Sequence, residues 1–359
     1  MYEKVCQVIY SLIAHEARQE MDLISSLKYV IIVQRYYRLA VFKINKLRGK
    51  LVTNNLEVTL SLTLIALVIM ELTYGAYALF SDNTVKDDGK NNQFKTLSLL
   101  KRLNFLVPSF NILDLIQYIE TVLTVASAIF FVVVAIRKRY NQIHFIERIE
   151  KIDEYMKTHL KLNVNYREYQ LISLGFLIVV LVYYNIIFSF SSYFLILDLK
   201  TFGGHFMFVT YIYSTTLSAI FTYGFICYVV LIKDRFQIIN RKLGKMVGGP
   251  LQSPLKKNKK SLCVDMIKFT KMYKSLCGGI DDVNKIYGFS MVLHFAHDFT
   301  LLTSQIFGIF YISFGVDWHE FQIMKIFGLF IWLLPNMLKM TGICLVCHLT
   351  RNQVRFIVD

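Results

Sequence analysis

Apolar residues along this chain are gathered into runs of 20 or more with few charges, each long enough to cross a hydrocarbon layer of roughly 30 Å as a helix. The runs predict six membrane spans at about 56–80, 111–136, 170–197, 205–232, 287–315 and 326–350. A further apolar stretch, 29–45, is interrupted by Arg35, Arg38 and Lys43 at helical spacing. That pattern predicts an interfacial helix within an N-terminal segment 1–55, outside the membrane count. Two of the longer connections keep a helical period of their own. Ile146, Ile149, Ile152, Met156 and Leu160 form one stripe, and Leu262, Met266, Phe269, Tyr273, Leu276, Ile280 and Val283 form another. Both predict that membrane helices continue beyond the bilayer. The expected fold is all-α: a polytopic transmembrane helical bundle of six spans with cytoplasmic helix extensions, a bundle at 56–350 and a tail at 351–359.

Between the stripes, Gly248-Gly249-Pro250, Ser253-Pro254 and Lys256-Lys257-Asn258-Lys259-Lys260 combine turn residues with a basic run, the best candidate for a disordered loop. Its lysines are read as a solvated loop that fixes topology rather than as a lipid site. In the connection 81–110, Leu97–Leu103 fits a short helix.

Composition strengthens the membrane reading. Hydrophobic residues make up 55% of the chain and charged residues 18%, with 29 Phe and 22 Tyr, an apolar surplus that has to face lipid. The net charge of +15 does not point to nucleic acid, because the cations are sorted by compartment. Segments 1–55, 137–168, 233–286 and 351–359 carry 32 of the 40 Lys and Arg, the opposite loops carry 7, and Lys339 lies inside the last span. By the positive-inside rule the N-terminus and the long connections are cytoplasmic in a multi-pass plasma-membrane protein. No cleavable signal peptide is read at the start. The six cysteines (6, 227, 263, 277, 344 and 347) fall at cytoplasmic or intramembrane positions, which excludes an external disulfide framework.

Ionisable groups inside spans are costly and are therefore the first candidates for function: Glu71, Asp114, Glu120, His294, His297, Asp298 and Lys339. Asp114, Gln117, Tyr118 and Thr121 share one face of the second span, with Glu120 pointing away from it. His294, His297 and Asp298 share a face of the fifth. Their spacing allows metal ligation, but no second cluster supplies the further ligand a catalytic metal needs, and a polar interhelical network or a ligand pocket suits them better. Cys344-Leu345-Val346-Cys347-His348 has the haem-attachment spacing without its context, and no catalytic motif gives an enzyme reading an anchor. No cofactor is expected. The outer halves of the spans hold a surplus of tyrosines and hydroxyls, and the ligand-lining residues expected are Gln117, Tyr184, Tyr193, Tyr211, Ser214, Asp298, Gln305, Tyr311 and Trp332. Walls of this kind suit a small, weakly polar organic ligand. A transporter using Asp298, His297 and Lys339 as an ion relay is the alternative, although no internal repeat supports it.

Several loose motifs together resemble an insect gustatory receptor, of the insect seven-transmembrane chemoreceptor superfamily. They are Ile149-Glu150-Lys151-Ile152-Asp153, Arg235-Phe236-Gln237-Ile238-Ile239-Asn240-Arg241-Lys242-Leu243, Tyr273-Lys274-Ser275-Leu276, and Val283-Asn284-Lys285-Ile286-Tyr287-Gly288. The inward N-terminus also fits that family and is opposite to that of G-protein-coupled receptors. The resemblance implies a seven-helix bundle assembling as a homo- or hetero-tetrameric ligand-gated cation channel, with a tastant pocket in the external half of each subunit. The family continues to a seventh, pore-lining span with a terminal Gln-Phe motif, whereas this sequence ends at Phe356-Ile357-Val358-Asp359. The expectation is a subunit with the sensing half of a channel that cannot conduct alone.

Overall fold

The computed structural model describes residues 23–45, 50–53, 55–85, 112–188, 202–247, 259–313 and 320–355, apart from some side chains near helix ends. Seven α-helices carry almost all of the described chain. They are α1 (Leu23–Tyr36), α2 (Asn55–Val85), α3 (Ile112–Leu160), α4 (Tyr166–Val182), α5 (Phe202–Val247), α6 (Lys259–Ser313) and α7 (Glu320–Arg355). A π-helical segment, Tyr183–Phe188, extends α4. The expected loop at 248–260 falls almost wholly, and the short helix at Leu97–Leu103 wholly, outside the described residues.

Among the described residues, four helical stretches are long and apolar enough to cross a membrane: Ile119–Leu160, Tyr166–Ile186, Val209–Met246 and Ile326–Arg355. The described, apolar part of α2 is shorter, Asn55–Met70. The stretch of α6 expected to span carries His294, His297, Asp298 and Gln305, which dilute its apolar character, and all four are buried. Exposed residues on the same helix are large and apolar, among them Phe289, Val292, Phe299 and Phe310. This inside-out distribution, polar within and apolar without, belongs to a helix that meets lipid on its outer face.

Both stripes of helical period lie on continuous helix. α3 runs on to Leu160, and Ile146, Ile149, Ile152, Met156 and Leu160 are all buried. α6 begins at Lys259, with Phe269, Leu276 and Val283 buried, while Met266, from the same predicted stripe, is exposed. Lys161, with φ 52°, turns the chain out of α3. α4 then starts on a reciprocal cap, in which Asn165 Oδ1 accepts from the Glu168 amide (3.2 Å) and Asn165 Nδ2 donates to Glu168 Oε2 (3.1 Å).

The expected interfacial helix over 29–45 takes another form. Helix α1 stops at Tyr36, and Arg38 adopts a left-handed conformation (φ 62°). The Arg38 amide returns to the Arg35 carbonyl (3.0 Å) and the Leu39 amide to that of Gln34 (2.7 Å), a Schellman ending with buried Leu39 as its hydrophobic residue. Beyond it, β1 (Phe42–Asn45) pairs antiparallel with β2 (Lys50–Thr53), Phe42 opposite Thr53. One apolar face of α1, with Leu23, Leu27, Val30 and Ile31, is buried in the bundle, while Ile32 and Tyr36 on the other side of the helix are exposed. Charge does not prevent this burial, because Arg35 and Arg38 both converge on Glu57 of α2 (2.5 and 2.6 Å). Gln34 lies so close to α5 at Gly224 that a Cβ there would collide with its amide.

At the Lys/Arg-rich end, polar side chains tie the long helices together. Arg235 of α5 forms a two-pronged pair with Asp153 of α3, Nε to Oδ1 at 3.0 Å and an Nη to Oδ2 at 2.7 Å, both residues buried. Tyr166 donates its hydroxyl to the same Oδ2 (2.7 Å). Arg148 of α3 meets Asp282 of α6 (2.7 Å). Two carbonyls near the end of the described part of α7 are taken up by neighbours. Asn240 Nδ2 donates to the Gln353 carbonyl (2.7 Å) and Tyr273 Oη to that of Val354 (3.0 Å).

Removing one member of a buried ion pair strands the other. Arg235→Met is therefore expected to lower unfolding stability of the detergent-solubilised protein by about 3–5 kcal/mol. Lys242→Ala, at an exposed position of the same helix, is expected to change it by less than about 0.5 kcal/mol. Equal effects of the two substitutions in a denaturant titration would contradict the pairing.

Candidate functional site

α5 is the most enclosed of the membrane-length helices, with 83% of its most apolar stretch buried in the bundle. A helix so placed has its polar side chains turned towards its neighbours. Tyr211, Ser214, Ser218 and Thr222, at i, i+3, i+7 and i+11, form a buried polar stripe along it. On α6, His294, Asp298, Leu301 and Gln305 repeat the same geometry and are also buried. α3 contributes buried Glu120 and Thr124, one turn apart. Where these stripes meet, two polar clusters form.

The first surrounds Asp298. Lys339 of α7 places Nζ 3.0 Å from its Oδ1, His294 Nε2 lies 3.3 Å from Oδ2, and His297 Nδ1 lies 3.4 Å from Oδ1. Thr222 Oγ1 is 2.7 Å from His294 Nε2, and Thr124 Oγ1 is 3.3 Å from His297 Nε2. The cluster thus joins α3, α5, α6 and α7. Ligand atoms of His294, His297 and Asp298 lie within 4.8 Å of one another, near enough to grip a divalent cation. The Lys339 ammonium already answers the Asp298 charge, however, and a second cation there would meet its repulsion. The geometry is that of an interhelical ionic and hydrogen-bonded lock.

The second cluster surrounds Glu120. Tyr211 Oη donates to Oε1 (2.9 Å), Gln305 Nε2 to Oε1 (3.2 Å) and Ser304 Oγ to Oε2 (3.4 Å). Tyr211 also packs against Trp332, ring centroids 5.5 Å apart, and both join Tyr184, Ala219 and Leu329 in an apolar cluster separate from the main core. α4 reaches this point through its π-helical segment, in which Tyr183 and Tyr184 contact edge to face. α7 reaches it next to Pro335, a residue inside the helix. Proline has no amide hydrogen, so the Ile331 carbonyl one turn earlier lacks its helical donor. Tyr183 Oη fills that place at 2.7 Å.

Of the nine ligand-lining residues expected from the sequence, Tyr184, Tyr211, Gln305 and Trp332 come together in this second cluster. Ser214 lies on the same stripe of α5, buried, with no partner for its Oγ among the described residues. Asp298 belongs to the other cluster. Gln117 and Tyr311 sit on α3 and α6, but their side chains, like those of Glu71, Asp114 and Tyr118, are outside the described residues, as is Tyr193 altogether. The sequence sets Glu120 apart because it points away from the Asp114 face, and it is the residue on which the second cluster is built. Its partners are 91, 184 and 185 residues distant. The available signal was that Thr124 follows it by one turn while Ile119 and Leu123 beside it are apolar and exposed.

Tyr183→Phe is expected to destabilise the purified protein by about 1–3 kcal/mol by stranding the Ile331 carbonyl. Adding Pro335→Ala, which restores a backbone donor to that carbonyl, is expected to recover most of the loss. Additive losses in thermal unfolding of the double variant would refute the link between the two residues.

No match to the chain was found among curated proteins. The profile of the 7tm chemosensory receptor family matches residues 93–358, a span holding both polar clusters, the Asp153–Arg235 pair and the whole of α3 to α7. With that match over most of the chain, and a helical bundle that is polar within and apolar without, this multi-pass membrane protein belongs to the 7tm chemosensory receptor family.

Proposed function

We propose that this chemoreceptor is a gustatory subunit of a ligand-gated cation channel, and that it binds a small organic tastant in the aromatic cluster beside Glu120. One observation carries the reading: Ser214 Oγ, one turn from Tyr211 on α5, and Gln305 Oε1, whose amide shares Glu120 with Tyr211, are buried without a hydrogen-bond partner among the described residues. Buried polar atoms cost free energy unless paired, and they gather where a ligand completes the hydrogen bonding. Large aromatic rings with a few convergent polar groups are the usual lining of a small-molecule site. The cluster also touches the two irregular helices, α4 at its π-helical segment and α7 at Pro335, so occupancy there has a route to helix geometry.

In this reading the Lys/Arg-rich end of the bundle is cytoplasmic, as the charge asymmetry favours, and the aromatic cluster belongs to the outer half. The protein sits in the plasma membrane and assembles as a tetramer with copies of itself or with other receptor subunits.

The test is ligand-dependent thermal stability of the purified chain in lipid nanodiscs, screened against sugars, alkaloids and amino-acid-derived compounds. A bound ligand at a hundred times its Kd stabilises by about 2.7 kcal/mol. At least one compound class is expected to raise the unfolding midpoint, with Trp332→Ala and the milder Ser214→Ala both weakening the response. A panel without effect, or one whose effect survives both substitutions, would sink the proposal.

A further inference from the structure

The described bundle buries five carboxylates: Glu57, Glu120, Asp153, Asp282 and Asp298. Four of them face a cation. Glu57 meets Arg35 and Arg38, Asp153 meets Arg235, Asp282 meets Arg148, and Asp298 meets Lys339. Glu120 alone among them has, among the described residues, only neutral partners, the Tyr211 and Ser304 hydroxyls and the Gln305 amide. A negative charge taken out of water without a counter-charge is among the costliest groups to bury. The bundle neutralises each of its other buried carboxylates, so the exception stands at the one place argued above to receive a ligand.

The surroundings of Glu120 have the chemistry that recognises an organic cation. Its hydrogen-bond partner Tyr211 stacks obliquely on Trp332, with Tyr184 in the same cluster, so the carboxylate is joined through the Tyr211 hydroxyl to a group of aromatic rings. Ring faces attract cations, tryptophan most strongly. The atoms left without partners are also of the right kind. Gln305 Oε1 is an acceptor, and Ser214 Oγ, one turn from Tyr211, can act as one. An ammonium group offers up to three hydrogens and no acceptor, which matches a carboxylate flanked by open acceptors. A neutral sugar would instead bring acceptors and donors in equal measure.

We infer that the ligand of this site is a protonated amine carrying an apolar, ring-sized body, its ammonium paired with Glu120 and its body held by Tyr184, Tyr211 and Trp332. The inference rests on the ligand site proposed above and narrows its ligand class. The charge of the ligand supplies the partner that the protein withholds, which makes selectivity for cations over neutral isosteres a property of Glu120 itself.

The experiment compares matched pairs on the purified full chain in nanodiscs, reading the shift in unfolding midpoint against concentration. Benzylamine with benzyl alcohol, 2-phenylethylamine with 2-phenylethanol, and tryptamine with tryptophol cover three sizes with and without the ammonium. At least one amine is expected to bind at least about tenfold more tightly than its alcohol, as loss of a buried charge partner commonly costs. Glu120→Gln keeps the size of the side chain and a carbonyl acceptor for Tyr211, and is expected to erase that preference by weakening amine binding. The wild-type comparison stands by itself if the variant fails to fold. Alcohols binding as well as amines, or an amine preference that persists in Glu120→Gln, would overturn the inference and leave the ligand site intact. No shift from any pair, together with a neutral compound that binds in the wider screen, would overturn the inference alone; silence in both would remove the site as well.

Discussion

Inside a hydrocarbon layer no water is available to satisfy a polar group, so each one carried in must find its partner within the protein. The architecture follows from that requirement. α5 is enclosed by its neighbours, and the hydroxyls and rings it carries at helical spacing meet matching stripes on α3 and α6. The outer surfaces of the same helices display Phe, Val and Leu. Packing between helices in lipid gains little from the hydrophobic effect, and the hydrogen bonds and ion pairs at these seams supply specificity in its place.

Neutralisation extends the same logic to the charged groups. Arg35 on Glu57, Arg235 on Asp153 and Lys339 on Asp298 each join two helices, across 22, 82 and 41 residues of sequence. Two of these pairs are all but closed to solvent, where their worth lies in fixing which helix faces which rather than in net stability. The N-terminal helix illustrates the point. Arg35 and the Arg38 just beyond it, which in isolation argue for a surface position, share the Glu57 carboxylate and stay partly exposed, while the opposite face of the helix packs in the bundle.

Most of the helical framework was legible from hydropathy alone, since runs such as Val122–Ile136 admit few other structures in lipid, and the stripe from Ile146 to Leu160 announced the continuation of α3. The hairpin at Phe42–Thr53 was not, because Phe42-Lys43-Ile44-Asn45 continues the apolar stretch before it and the break comes from the left-handed turn at Arg38. The site was legible in part. Tyr184, Tyr211, Gln305 and Trp332 stood out as amphipathic residues in apolar spans. Glu120 stood out only as a charge inside a span and not as part of the ligand lining, since its partners lie on helices far along the chain. The π-helical segment and its tie to α7 were equally hidden, for nothing local marks Tyr183 as the donor to a carbonyl that a proline has left open.

The arrangement of α7 has a mechanical consequence. Two carbonyls near the end of its described part are pinned to α5 and α6 by Asn240 and Tyr273, while its hydrogen-bond ladder lacks a rung at Pro335. A rod clamped at its foot and weakened at one point bends at that point. The segment from Pro335 to Glu320 is a lever of roughly 22 Å, so a change of about 10° at the proline carries the far end about 4 Å. A single tyrosine hydroxyl on the Ile331 carbonyl spans the missing rung, so the Tyr183–Tyr184 segment is tied directly to the fulcrum of that lever.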